Sequence, residues 1–217
     1  ARLFDDAVNS RLLINSAAAT AHPFTMACWF NSDSASANQT LMFLGDKDSD
    51  SYHSALEAMG STAGDPVRAR SASGGTSAAA TTTGYSINTW HHGCAVFAAD
   101  NDRRVFIDGG SKGTEATSRI PSGYDRTAIG GLLRLTSANY MSGMIAEAAI
   151  WNIALTDAEV ALLAKAVSPL MVHPESIVAY WPLIGTTTAE ADIVGGYNLT
   201  VTSAVKAAHP RIIYPIS

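Results

Sequence analysis

The sequence predicts an all-β fold, an antiparallel β-sandwich or jelly roll with one short helix. Three observations lead there. Phe24, Met26, Cys28 and Phe30 alternate with Thr25, Ala27, Trp29 and Asn31, and a period of two is that of a strand with two distinct faces. About a dozen such short segments recur at roughly ten-residue spacing between Gly, Asp, Asn and Ser turns, the pattern of sandwiches and barrels. One segment, Asp157–Lys165, has helical character. Thr156 and Glu159 form a capping box at its start, Val160, Leu163 and Ala164 share a face, and Lys165 suits its C-terminal end.

The remaining elements follow in order. Thr40–Leu44 is an apolar run closed by Gly45, and Tyr52–Met59 is the next strand after the loop Asp46–Ser51. A turn at Gly60–Asp65 leads to Pro66–Arg70. Ser71–Gly84 is rich in Ser, Gly, Ala and Thr, and holds either a weak strand at Ser77–Thr83 or a loop. Thr89–Ala98 and Arg104–Ile107 are strands. Asp108-Gly109 opens a hairpin whose returning strand is Lys112–Ser118, because Gly accepts the positive φ of a tight turn. Arg126–Gly130 is short and Met141–Trp151 long. Pro169 and Pro174 stop any continuation of the helix, and Ser176–Leu183 and Tyr197–Val201 are further strands. One domain therefore spans residues 1–205, and residues 206–217, with prolines at 210 and 215, form an extended tail.

Composition narrows the function. Of the 217 residues, 47% are apolar, which excludes a disordered chain, and 15% are charged, below the ~25% of an average domain. The net charge is −5 and no basic run exceeds Arg103–Arg104, so the clustered cations that nucleic-acid binding needs are missing. No stretch approaches the ~18 apolar residues of a membrane-spanning helix, so membrane insertion is not expected. The first residues lack the basic and apolar regions of a secretory signal. The expectation is a protein made and kept in a cytoplasm until assembly or lysis, with a signal already removed, and hence an extracellular location, as the alternative. Cys28 and Cys94 each sit in an apolar strand pattern and read as buried thiols, with a single disulfide as the alternative.

Several segments together resemble one family. Phe24–Phe30 is similar to an early strand in which an aromatic pair follows a small residue. Trp90-His91-His92 resembles a Trp-x-His strand start, and Val105–Gly109 a strand ending in Asp-Gly. Ile129-Gly130 precedes the place of a variable loop. Gly143–Glu147 through Trp151-Asn152, followed by Ala154-Leu155-Thr156 and the capped helix, resembles a closing segment. In this order, from Phe24 to Ala164, they resemble the laminin-G-like, concanavalin-A-like lectin–glucanase superfamily. The resemblance implies a concanavalin-A-like jelly roll, with Trp90, His92, Asp108, Gly109, Gly143, Glu147 and Trp151 as its structural signature. Ala146 departs from it, standing where the family often has an acid. The whole chain, one such domain with a short tail resembling Ala-Tyr-Trp-Pro-Leu and His-Pro-Arg-Ile, also resembles small, often phage-encoded, structural proteins.

Catalysis is not expected. A retaining glucanase needs two carboxylates about 5 Å apart. On a strand, residues i and i+2 share a face, and the neighbours of Glu147 at that spacing are Ile145 and Ala149. Glu147 reads as a structural carboxylate that holds a turn. His91 and His92 are adjacent and point to opposite faces, so one is expected buried beside Trp90 or Cys94 and hydrogen-bonded. Asp46, Asp48 and Asp50 alternate as hard-cation loops do. Ser51 replaces the Gly an EF-hand would carry, which favours a solvated turn over bound Ca²⁺. Tyr52, Tyr85, Tyr124 and Tyr140 lie near loops and are candidates for stacking on sugars, whereas Trp29, Trp90, Trp151 and Trp181 lie in strands and are expected in the core.

The leading expectation is a non-catalytic module on a virion surface, a capsid decoration or fibre component. It would contact neighbouring capsid or fibre subunits or cell-surface glycans, as a trimer or array. The segment before Phe24 and the tail after Ala207 would carry those contacts. A stand-alone lectin-like module, calcium-dependent or not, is the alternative, and a polysaccharide hydrolase the remote one.

Overall fold

A computed structural model describes residues 1–185 and 188–215, so the last two residues of the expected tail lie outside the described residues. In chain order the strands are β1 (Arg2–Phe4), β2 (Arg11–Ile14), β3 (Phe24–Ser32), β4 (Asn38–Gly45), β5 (Tyr52–Met59), β6 (Pro66–Ser73), β7 (Thr76–Gly84) and β8 (His91–Ala99). They continue with β9 (Asp102–Ile107), β10 (Gly110–Glu115), β11 (Arg126–Ile129), β12 (Gly143–Trp151), β13 (Ile177–Trp181), β14 (Ala189–Glu190), β15 (Leu199–Thr202) and β16 (Val205–Lys206). Helix α1 (Asp157–Leu163) follows β12.

The strands form two antiparallel sheets. The first runs β10-β9-β8-β3-β12-β1-β16, with β13 also on β12, and the second runs β14-β15-β2-β11-β4-β5-β6-β7. Alternation fills the space between them. Met26, Cys28 and Phe30 of β3, Ile145, Ala148 and Ile150 of β12, Leu41, Met42 and Leu44 of β4, and Leu12 of β2 all belong to one buried cluster. The fold class is that expected from the sequence, an all-β sandwich with one short helix.

Both sheets are also partly apolar on their outer faces. On the first, Ala27, Cys94, Ala149 and Trp151 pack under Leu155, Val160, Leu163 and Val172 of the α1 layer. Trp151 donates its indole N–H to the Val172 carbonyl at 2.8 Å. On the second, Phe43, Ala55 and Ala128 pack under Leu132 and Leu133 of the loop that follows β11. Cys28 faces the space between the sheets and Cys94 the outer face, so the two free thiols cannot bond, and burial pushes both far above the usual thiol pKa.

Several elements differ from expectation. β1 and β16 are too short to show a period, and β2 and β14 offer too few alternating residues. Thr76–Gly84 is a full strand, its polar face open to solvent and Ala79 in the core. β12 starts at Gly143 because Gly143 has φ +118° and a Cβ there would lie 2.2 Å from the Asn31 carbonyl oxygen. Helix α1 ends at Leu163, with Ala166 at φ +61° turning the chain away, so Lys165 lies outside the last turn.

A buried ion pair ties the two sheets at one end. The Arg2 guanidinium of β1 lies 2.8 Å from Glu190 of β14, with side chains 2% and 3% exposed. Glu190→Ala leaves Arg2 buried without its carboxylate and should cost about 3–5 kcal/mol, read as a lower urea midpoint. An unchanged midpoint would show that water replaces the carboxylate.

Candidate functional site

Glu147 sits at a bulge. Across β12 and β3, Ala146 faces Trp29 while Ala149 faces Ala27, so β12 carries one extra residue there, and Glu147 adopts φ +54°. The bulge falls where β12 changes neighbour, from β1 at Gly143–Ile145 to β13 at Ala148–Trp151. It breaks the i, i+2 rule assumed for this strand and turns the carboxylate to the outer side. There Glu147 accepts hydrogen bonds from the Tyr180 hydroxyl at 2.5 Å and the Tyr214 hydroxyl at 2.9 Å, and His209 Nε2 lies 3.1 Å away. Burial opposes a charge on His209, yet Glu147 and the carbonyls of Pro210 and Pro182 hold its pKa above the ordinary histidine value. Glu147 therefore clamps the tail, not a turn. The tail lies extended on its own domain, with Ile213 bridging to Val167.

The acidic loop is arranged differently from expectation. Asp46 and Asp48 come together with Asp125, from just before β11, with carboxylate oxygens within 4.8 Å of one another. The Lys47 ammonium lies between Asp48 and Asp125, 2.6 Å from each, and Asp46 accepts the Asp48 amide at 2.8 Å. Lys47 thus supplies a positive charge beside Asp48 and Asp125 in this arrangement. Asp50 points elsewhere. Its carboxylate accepts the Thr136 amide at 2.8 Å and lies 3.3 Å from Arg134, so it pins the tip of the loop 130–142.

That loop builds the cavity on the second sheet's outer face. Leu132 and Ala138 exchange both backbone hydrogen bonds, which closes the loop on itself. Gly130, at φ +84°, lets the chain pass Phe4, whose ring would lie 2.3 Å from a Cβ. Leu13, Ala128, Phe43, Ala55 and Arg70 stand in one row across β2, β11, β4, β5 and β6. Arg11 and Arg126 share the face of Leu13 and Ala128 by alternation. Between this face and the loop is a cavity of about 390 Å³ lined by Asn9, Arg11, Leu13, Arg126, Leu133, Ser137 and Tyr140. Arg126 is held by Asn15 Oδ1 at 2.9 Å and the Leu133 carbonyl at 2.8 Å, and Arg11 by the Asn9 carbonyl at 2.9 Å. Beside it, His53 is fully buried against the Phe43 ring. Burial and the charges of Arg70 and Arg134 push its pKa down to about 3, so it is neutral.

Of the tyrosines expected near ligands, only Tyr140 lines this cavity. Tyr85 and Tyr124 are buried, their hydroxyls on the Ser34 carbonyl and Ser54 Oγ, and Tyr52 packs against the core. Trp151 and Trp181 are core residues as expected. Trp29 and Trp90 are half-buried, because Trp29 takes the outer face opposite Cys28 and Phe30, and Trp90 precedes β8. The buried histidine is His92, edge-on to Trp29, with its pKa lowered to about 4 by burial. Its Nδ1 lacks a hydrogen bond, and the bonded histidine is His91, 2.7 Å from Asp108. Asp108 and Gly109 form the β9–β10 turn at φ +51° and +74°, and a Cβ on Gly109 would lie 2.9 Å from Ala161 of α1. Sequence reasoning missed Arg11, Arg126 and the cavity. The signal was Arg11-Leu12-Leu13-Ile14, where Arg and Leu share the outer face of a short strand.

Glu147→Gln should cost about 1.5–3 kcal/mol, the range for hydrogen bonds to a charged group, and speed trypsin cleavage after Arg211. A raised histidine value means that the protonated ring favours the docked tail. That contribution is full below about pH 6.5 and is lost as pH rises through the raised value, so cleavage should quicken over that window and lose this dependence in His209→Gln. Asp50→Ala should speed amide exchange at Thr136 and cleavage after Arg134 while leaving the core amides protected.

Residues 6–161 match the family model described as the concanavalin A-like lectin/glucanases superfamily. No curated protein sequence matches the chain. Among solved structures, the heptameric SAP-like pentraxin of Limulus polyphemus is similar at TM-score 0.61 and 13% identity, over 75% of this chain and 80% of that one. The CBM40 of Ruminococcus gnavus IT-sialidase, bound to α2,3-sialyllactose, is similar at TM-score 0.58 and 15% identity, over 67% and 84%. A carbohydrate-binding protein of Bacteroides ovatus, so described provisionally, is similar at TM-score 0.66 and 17% identity, over 98% of this chain and 61% of that one. At these identities the likeness is one of fold alone. With most of its length matched by the family model, the chain belongs to the concanavalin A-like lectin/glucanase superfamily.

Proposed function

We propose that the chain is a non-catalytic, lectin-like module that binds glycans on the outer face of its second sheet. The observation that carries this reading is the cavity under the loop 130–142. Its wall combines the Tyr140 ring and the apolar edges of Leu13 and Leu133 with Asn9, Ser137 and two guanidiniums. A sugar site needs this mixture of an apolar or aromatic surface for a ring face and a few polar groups that fix its orientation. Solved neighbours of the same fold hold sialyllactose and arabinotriose, which is consistent with it.

Glu147 argues against hydrolysis. Its hydrogen-bonding neighbours are two tyrosines and a histidine, none of them a carboxylate, and the tail covers it. The lectin alternative is taken over the virion-surface one because of the termini. The segment before Phe24 supplies β1 and β2, one to each sheet, and the tail docks on Glu147, so the arms expected to join neighbouring subunits are used within the chain.

A glycan array tests the reading. Wild type should retain a subset of glycans, and Tyr140→Ala should lose them by roughly 10-fold or more, the scale of a removed aromatic contact. Retention of no glycan, or retention unaffected by Tyr140→Ala, removes the proposal. Release of reducing ends from any retained glycan would restore the hydrolase.

A further inference from the structure

The charge on the second sheet's outer face is uneven. Five of the chain's ten arginines, Arg11, Arg68, Arg70, Arg126 and Arg134, stand on this face or on the loop over it, in a chain of net charge −5. Two acids answer three of them. Glu57 pairs with Arg68 at 2.8 Å and Arg70 at 3.6 Å, and Asp50 pairs with Arg134 at 3.3 Å. Arg11 and Arg126 have no carboxylate within ion-pair distance among the described residues, and both line the cavity. Asp125, next to Arg126 in sequence, is engaged by Lys47 at 2.6 Å.

Each of these guanidiniums is positioned by neutral groups with no carboxylate in ion-pair contact, although the charge of Arg126 helps to lower the pKa of Asp125. Arg126 spends Nε on Asn15 and one Nη1 proton on the Leu133 carbonyl, which fixes its plane and leaves Nη2 unbonded. Arg11 spends one Nη1 proton on the Asn9 carbonyl. Arg126 belongs to β11 and Arg11 to the neighbouring β2, so both reach the cavity from one wall, with Tyr140 and Ser137 on the loop side. A partly enclosed space with two fixed, uncompensated guanidiniums and an aromatic wall selects an oxyanion attached to a ring. Guanidinium forks match carboxylate or sulfate oxygens through paired charge-assisted hydrogen bonds.

We infer that this cavity binds an acidic saccharide, with Arg11 and Arg126 holding its carboxylate or sulfate and Tyr140 lying against its ring. The inference rests on the glycan-binding reading and names the ligand class of that same site. A volume of about 390 Å³ holds a terminal sugar with its charged group and leaves the rest of an oligosaccharide outside.

Titration calorimetry of the whole chain with lactose, 3′-sialyllactose, 3′-sulfolactose and a galacturonate trisaccharide tests it. At least one acidic sugar should bind roughly 10- to 100-fold more tightly than its neutral counterpart, the scale of a charge-assisted hydrogen-bond pair. Arg126→Ala and Arg11→Ala should each remove most of that difference, the acidic sugar losing more affinity than the neutral one. Arg126→Lys should restore only part, because an ammonium keeps the charge and loses the fork. Arg126 also holds the loop through Leu133, so Arg11→Ala is the decisive variant if Arg126→Ala unfolds. The preferred arm, carboxylated or sulfated, identifies the oxyanion. Equal affinity for acidic and neutral sugars overturns the inference and leaves the glycan reading standing, and no binding of any sugar overturns both. Acid preference that survives both arginine variants, or binding of polyglutamate in place of every sugar, also overturns it.

Discussion

Two sheets that each carry an apolar patch on the outer face as well as an apolar inner face cannot be satisfied by packing against one another alone. The inner faces meet in one core built from β3, β12, β4 and β2. Each outer face then needs a cover, because exposed apolar rows of this size favour association. The first sheet receives α1 and the turns around Val172, locked by Trp151. The second receives the loop 130–142, seated on Phe43, Ala55 and Ala128. A loop covers less of a sheet than a helix layer does, and the space it leaves at its edge is the cavity. The cavity follows from how the second sheet solves its burial problem.

The same constraint explains the division of labour along β12. Its inner residues, Ile145, Ala148 and Ile150, keep the core continuous, and its outer residues, Ala149 and Trp151, meet the helix layer. One extra residue between them changes the neighbour from β1 to β13 and turns a carboxylate outward. Glu147 then collects Tyr180, His209 and Tyr214, which closes the chain's last segment over the first sheet. The carboxylate that could have been read as catalytic serves the packing of the tail, and the face with uncompensated charge lies on the other side of the sandwich.

The architecture was legible because alternation is a local property. Phe24–Asn31, Tyr52–Met59 and the Thr156–Glu159 capping box each declare their element within a few residues, and the family's ordered motifs added their sequence along the chain. The site was less legible because it is assembled from distant residues. Arg11 and Arg126 come to line one cavity only through the β2–β11 pairing, and Asp125 joins Asp46 and Asp48 in place of Asp50 because β11 runs beside β4. The bulge at Glu147 defeated the strand rule itself, since one inserted residue reverses which side chains share a face. Of the seven signature residues, those with a backbone reason, Gly109 and Gly143, could be understood from steric limits, whereas the partners of Glu147 lay outside the matched segments.

Asp50 holds the wall of the cavity by one amide hydrogen bond and an arginine, both near the surface. Interactions of that kind weaken as salt screens them, on a length of about 8 Å at physiological ionic strength. The attraction of Arg11 and Arg126 for an oxyanion is screened by the same salt. Ionic strength therefore acts twice on one pocket, on the charges proposed to hold a ligand and on the charge that holds the loop over it. Affinity should fall with salt more steeply than two guanidiniums alone would give, and a salt-dependence slope would measure how far the loop takes part.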